Sequence, residues 1–175
     1  MTEFERFKSL FIQQSIHTVD YLNMLKEEHW ITIPRDSESL FLGMRVNKIT
    51  IGTLVRHFII AEQNWIKAVA ELPNGSVIPI PGNAALLEKV KEGKELIAFY
   101  LDALEENKKT LSSLKADDLE KEFTFAGRHY SGMGILWAMF GHHAYHLGQL
   151  DLIMRQSNLI APEYMEWSEA GKVVA

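Results

Sequence analysis

The stretch Ser131–Gln156, SGMGILWAMFGHHAYHLGQLDLIMRQ, decides the fold. It has no proline, and Ile135, Met139, His142, His146, Leu150 and Ile153 recur at steps of three and four. That is the period of one face of an α-helix. The spacing predicts a long helix with two imidazoles on its inner stripe. Gly141, Ala144 and Gly148 make a smooth patch on another side, open to close approach by a neighbouring helix.

Three segments further up the chain share this period. Over residues 3 to about 27, Phe4, Phe7, Leu10, Phe11, Leu22 and Leu25 fall on one face. Gln14, Thr18 and Tyr21 occupy the middle of that face, with His17 at its edge. Polar groups there read in two ways: satisfied core residues, or the wall of a polar pocket inside a bundle. A second helix is expected from Thr50 to about Glu71, on the stripe Leu54, Phe58, Ala61, Trp65 and Val69, with His57 beside it. Leu72-Pro73-Asn74-Gly75 stops it. A third is expected from an Asn83 cap through Leu87, Val90, Ile97, Leu101, Leu104, Leu111 and Leu114. Its Glu- and Lys-rich opposite face is a solvated surface.

The links are long. Residues 28–49 contain Pro34 and Gly43, and a connection of that length in a compact domain is often functional. Phe123 and Phe125 flank Thr124 ahead of Ala126-Gly127, which suggests a small hairpin over 121–131. Four long amphipathic helices without a central sheet predict an all-α four-helix bundle, one domain over residues 1–175.

Composition narrows the function. Lys plus Arg number 18 against 23 Asp plus Glu, a net charge of −5, so the chain is expected to bind no nucleic acid. With no cysteine there is no disulfide, thiolate metal site or protein thiol nucleophile. Apolar runs reach only the length of Ile135–Phe140, far short of the roughly 20 residues that cross a bilayer. The acidic N-terminus lacks a signal-peptide core. A cytoplasmic protein free of the membrane is the expectation. Ile59 and Ile66 on the otherwise polar side of the second helix, and Trp137 on the outer side of the fourth, suggest apolar contact surface and a homodimer.

The chemistry lies in the histidines. His142 and His146, four apart on a helix, rise from one face one turn apart, the geometry in which two imidazoles reach one ion. Chance supplies about 0.3 such pairs in a chain with this much histidine, so spacing alone is a weak signal. Their inward position, and His57 on the core side of another helix, strengthen it. Three imidazoles from two helices would leave open positions on an ion for water or substrate. On periodicity alone, hydrogen-bonded core histidines stay open as the other reading. The H-E-x-x-H zinc-protease motif is not met, because His143 follows His142. His143 leaves the helix about 100° away and reads as an interhelical residue.

The segment His142-His143-Ala144-Tyr145-His146-Leu147-Gly148-Gln149 resembles the H-x-x-x-H-R-G-Q signature of the DinB/YfiT-like family of metalloenzymes. Leu54 to Trp65 resembles that family's second-helix pattern, a ligand His followed by a Glu and an aromatic. Leu147 departs from the usual Arg. The resemblance implies a four-helix bundle, often dimeric, with a divalent metal ion, zinc or nickel, on His57, His142 and His146. It implies small-molecule substrates and, in some relatives, a low-molecular-weight thiol as cosubstrate. Thiol S-transfer is the leading expectation. Metal-dependent hydrolysis, or a non-catalytic metal- or ligand-binding stress protein, is the alternative. Gln149, Tyr21 and His17 are the candidate catalytic or orienting groups.

Overall fold

A computed structural model of the chain describes residues 1–34, 49–80 and 93–163. Helix α1 spans Glu3–Asn23, and its start is fixed by a capping box. The Glu5 amide donates to Thr2 Oγ1 at 3.2 Å and the Thr2 amide to Glu5 Oε2 at 2.6 Å. The helix stops short of the expected residue 27. The chain turns at Met24, and Glu27–His29 form a single 3₁₀ turn, tied by the Lys26 amide to His29 Nδ1 at 3.0 Å. Helix α2 spans Ile51–Glu71 behind its Thr50 cap and ends where Leu72 adopts the extended backbone that a following proline imposes.

Helix α3 spans Glu95–Ser113. The single helix expected from Asn83 through Leu114 is broken at Gly93, whose φ of 63° is left-handed and cannot sit inside a right-handed helix. Asn83, Leu87 and Val90 lie outside the described residues. The buried stripe runs through Leu96, Tyr100, Ala103, Leu104, Asn107 and Leu111. Leu101, expected on it, is 42% exposed, because it points about 100° away from Tyr100. A short helix α4, Ala116–Glu120, precedes the hairpin. Helix α5, Gly132–Gln156, follows its Ser131 cap.

The hairpin is present. Strands β2 (Glu122–Phe125) and β3 (Arg128–Ser131) pair antiparallel with Phe123 opposite Tyr130. Ala126 and Gly127 have φ of 49° and 75°, the double left-handed turn that matches strand twist. Strand β1, Ser76–Val77, is not expected from the residues of the link after α2; it pairs parallel with β2.

Side-chain contacts fix the helix directions. Phe7 meets Trp137 and Phe140 while Thr18 meets His143, so α1 and α5 run the same way. His57 meets His146 and Trp65 meets His142, so α2 runs against α5. Phe58 meets Tyr100 and Gln63 meets Glu106, so α2 and α3 are parallel. Parallel neighbours need a long crossover, and residues 72–94 supply it. The fold is an all-α four-helix bundle with a small sheet at one end.

Two apolar clusters fill the interior. One gathers Leu22, Leu54, Phe58, Tyr100, Leu147 and Leu150, the other Phe7, Phe11, Trp65, Leu111, Phe123 and Met139. Along α1, α2 and α5 the buried polar residues Gln14, Thr18, Glu62, His143 and His146 fall between the two. This is why the stripe of α1 is apolar at its ends and polar at its centre.

Some surface expectations are corrected. Ile59 and Ile66 are 1% and 0% exposed: α2 touches both α3 and α5, so its apolar arc is wide. Trp137 is half-buried, its ring edge on Phe7 and its Nε1 donating to Glu3 Oε1 at 2.7 Å. Residues thought to face a partner therefore pack internally. Gly141 and Gly148 have open space where a side chain would be, so among the described residues no helix approaches that patch. Of the C-terminal residues, Pro162 returns to α1, where the Tyr21 hydroxyl donates to its carbonyl at 3.0 Å. Tyr164, Met165 and Trp167 lie outside the described residues. Among the described residues no helix is long and apolar enough to cross a membrane.

Candidate metal centre

Helix α2 delivers His57, and α5 delivers His142 and His146 from successive turns of one face. Their Nε2 atoms converge. His142 Nε2 lies 3.0 Å from His57 Nε2 and 3.1 Å from His146 Nε2. A divalent ion about 2.1 Å from each nitrogen would hold tetrahedral ligands about 3.4 Å apart. The two separations from His142 are a few tenths of an ångström short of that, and all three ligand atoms lie within 4.8 Å of one another, so the trio can close on one ion. The donor set fits as well: three neutral imidazoles suit zinc and nickel. Among the described residues these three form a group that could hold a metal ion, with no fourth His, Asp or Glu in it.

The tautomer of His146 is set by Gln149. Nδ1 lies 2.7 Å from Gln149 Oε1, and a carboxamide oxygen only accepts. Nδ1 therefore carries the proton and Nε2 presents its lone pair to the centre. Burial of His146, 3% exposed, lowers its pKa; the Gln149 hydrogen bond works against that shift without reversing it, and the nearby His143 adds a smaller lowering. The net lowering favours the neutral ring that a metal needs. His57 and His142 are half-buried, which leaves the centre open on that side. Rings line the opening. Trp65 lies 5.1 Å from the His142 ring with Phe125 edge-on behind it, and Tyr145, 62% exposed, lies 5.0 Å from the His146 ring.

The other sequence candidates lie in different surroundings. Gln149 touches His146 itself. The Tyr21 hydroxyl is engaged by Pro162, and burial first, then the charge of Asp151, raises its pKa to about 12. His17 packs edge-on against Tyr21, and burial lowers its pKa. Thr18 meets His143. His143 is interhelical, as its direction predicted: Nδ1 lies 2.5 Å from Glu62 Oε1, and the ring stacks on Phe58. Glu62, the Glu of the second-helix pattern, has a partner that pattern does not name, His143; its sequence signal is a carboxylate four residues after Phe58, on the apolar side of α2.

A helical bundle with three imidazoles converging from two of its helices is a DinB/YfiT-like scaffold with a candidate metal centre. The family model for mycothiol-S-transferase matches residues 37–157, and the chain belongs to that family. Solved structures share the fold. A DinB-like protein from Bacillus subtilis superposes with a TM-score of 0.64 at 18% identity, covering 90% of this chain and 96% of that one. A DinB-like protein from Bacillus cereus ATCC 10987 gives 0.62 at 20% identity, covering 90% and 94%. YfiT from Bacillus subtilis, titled a probable metal-dependent hydrolase with an unusual four-helix bundle topology, gives 0.61 at 13% identity and covers 91% of each chain. No curated protein matches.

Proposed function

We propose that this chain is a divalent-metal-dependent transferase that joins a low-molecular-weight thiol to a small electrophile. The observation that carries the reading is the convergence of the His57, His142 and His146 Nε2 atoms in a chain of the mycothiol-S-transferase family. The three imidazoles would hold zinc or nickel. When bound, the ion supplies a positive charge that lowers the pKa of a thiol or water brought to it.

The chain's own residues do the rest. Gln149 keeps the proton of His146 on Nδ1, so that Nε2 stays a ligand. Trp65, Phe125 and Tyr145 place apolar surface beside the open side, where the carbon frame of an electrophile can lie. The chain has no cysteine, so the attacking sulfur is the cosubstrate's.

The test is turnover with each metal. Purified untagged protein is stripped, reloaded with zinc or nickel, and given mycothiol or another small thiol plus an electrophile such as a maleimide or chlorodinitrobenzene. Metal-dependent thioether formation supports the proposal. Ester or amide hydrolysis without thiol transfer replaces it with the second reading, which the likeness to YfiT favours.

A further inference from the structure

The bundle centre holds a second set of polar side chains, which the histidine trio does not use. Glu62, His143 and Thr18 come from α2, α5 and α1 and are 2%, 0% and 0% exposed. His143 Nδ1 lies 2.5 Å from Glu62 Oε1, and its Nε2 lies 2.7 Å from Thr18 Oγ1. Thr18 spends its single hydroxyl hydrogen on the Gln14 carbonyl at 3.0 Å. Oγ1 therefore accepts from His143 Nε2–H. That leaves one proton between Nδ1 and the carboxylate, and the pair is neutral overall whichever atom holds it.

Such a pair is a poor stabiliser, since the cost of desolvating two charged groups offsets their attraction. Its effect is geometric. His57 and Glu62 leave α2 in different directions, and the adjacent His142 and His143 leave α5 about 100° apart. Two contacts at different azimuths fix both the rotation of α5 about its axis and its slide along α2. One is the short His57–His142 contact at 3.0 Å, and the other is Glu62–His143. Stacking on Phe58, at 5.0 Å and 17°, sets the plane of the His143 ring. With both its nitrogens engaged, His143 is also kept from competing as a ligand.

We propose that the Glu62–His143–Thr18 chain is a positioning device that sets the register of α5 against α2, so that His142 and His146 meet His57. The proposal rests on the metal reading above. The probe is Co²⁺ alone, followed by its visible absorption, with thermal unfolding of the metal-free protein alongside. Glu62→Gln keeps an acceptor for Nδ1–H and is expected to bind Co²⁺ within threefold of wild type, with the same spectrum. The paired variant Glu62→Leu/His143→Phe removes the chain without stranding a charge. It should melt at or above the wild-type temperature, bind Co²⁺ about 10–100-fold more weakly, and show an altered band. Wild-type Co²⁺ affinity and spectrum in that folded variant, whatever its melting temperature, overturn the proposal. If it does not fold, Glu62→Asp serves, its carboxylate drawn back by one methylene. Folded Glu62→Asp with about tenfold weaker Co²⁺ supports the proposal, and unchanged Co²⁺ binding overturns it. A wild-type protein that takes up no Co²⁺ overturns the metal reading and this proposal together, whereas unchanged Co²⁺ binding in the paired variant or in Glu62→Asp overturns only this one.

Discussion

Nδ1 of His146 donates to the side-chain oxygen of Gln149, one helical turn further along α5, at 2.7 Å. The bond orients the ring and makes its other nitrogen more basic. Gln149→Leu should therefore weaken zinc binding about 10–100-fold. Gln149→Glu keeps the acceptor and should restore most of it. Competition against a chromophoric chelator measures both, and equal affinities for wild type and Gln149→Leu would show that the bond is incidental.

Metal that binds only the folded chain stabilises it by about 2.7 kcal/mol at 100 times its dissociation constant. His57→Ala, His142→Ala and His146→Ala should each lose most of the corresponding rise in melting temperature. His143→Ala should behave differently. It strands the Glu62 carboxylate in the core, at a cost of about 3–5 kcal/mol, so the metal-free protein melts lower. Saturating zinc should still raise its melting temperature. Thermal scans with and without zinc separate the two patterns.

Acid should destabilise the metal-free protein. Burial lowers the folded-state pKa of both His17 and His146 from the ordinary 6.5. The unfolded chain then binds more protons than the folded one between the lowered values and 6.5. The stability these rings contribute is present above pH 6.5 and is lost as pH falls below it. Melting temperatures from pH 8 to pH 5 should drop across that window, and His17→Asn should flatten the drop. A flat profile in wild type would refute this.

Ala126 holds a φ of 49° in the hairpin turn, where a side chain with a β-carbon is strained by about 1 kcal/mol. Ala126→Asn gives the Asn-Gly pair that such turns favour. It should raise the melting temperature by about 2–4 °C without altering metal affinity. A fall would show that the turn is held by contacts other than its own backbone preference.

The period of three and four settles α1, α2 and α5 to within a few residues, because a helix's hydrogen bonds are local and its apolar stripe must face inward. It also brings out His142 and His146, since two residues four apart on one helix are neighbours in any fold. The Thr2, Thr50 and Ser131 caps and the Ala126-Gly127 turn are equally local. A break at Gly93 is not legible in that period: a left-handed glycine leaves the apolar pattern on either side intact.

What sequence could not fix is which faces meet. Ile59 and Ile66 look like surface on a wheel with one apolar side, but α2 has helices on two sides and buries both. β1 is two residues long and exists only because β2 lies beside it. The convergence of His57 with His142 and His146 depends on α2 running against α5, a direction set by the crossover between α2 and α3. The pairing of Glu62 with His143 has the same origin. Local periodicity thus determined the helices and the residues each turns inward. Only tertiary packing decided which inward residues touch, because contacts between helices depend on their direction, slide and rotation, and no short stretch of sequence encodes these.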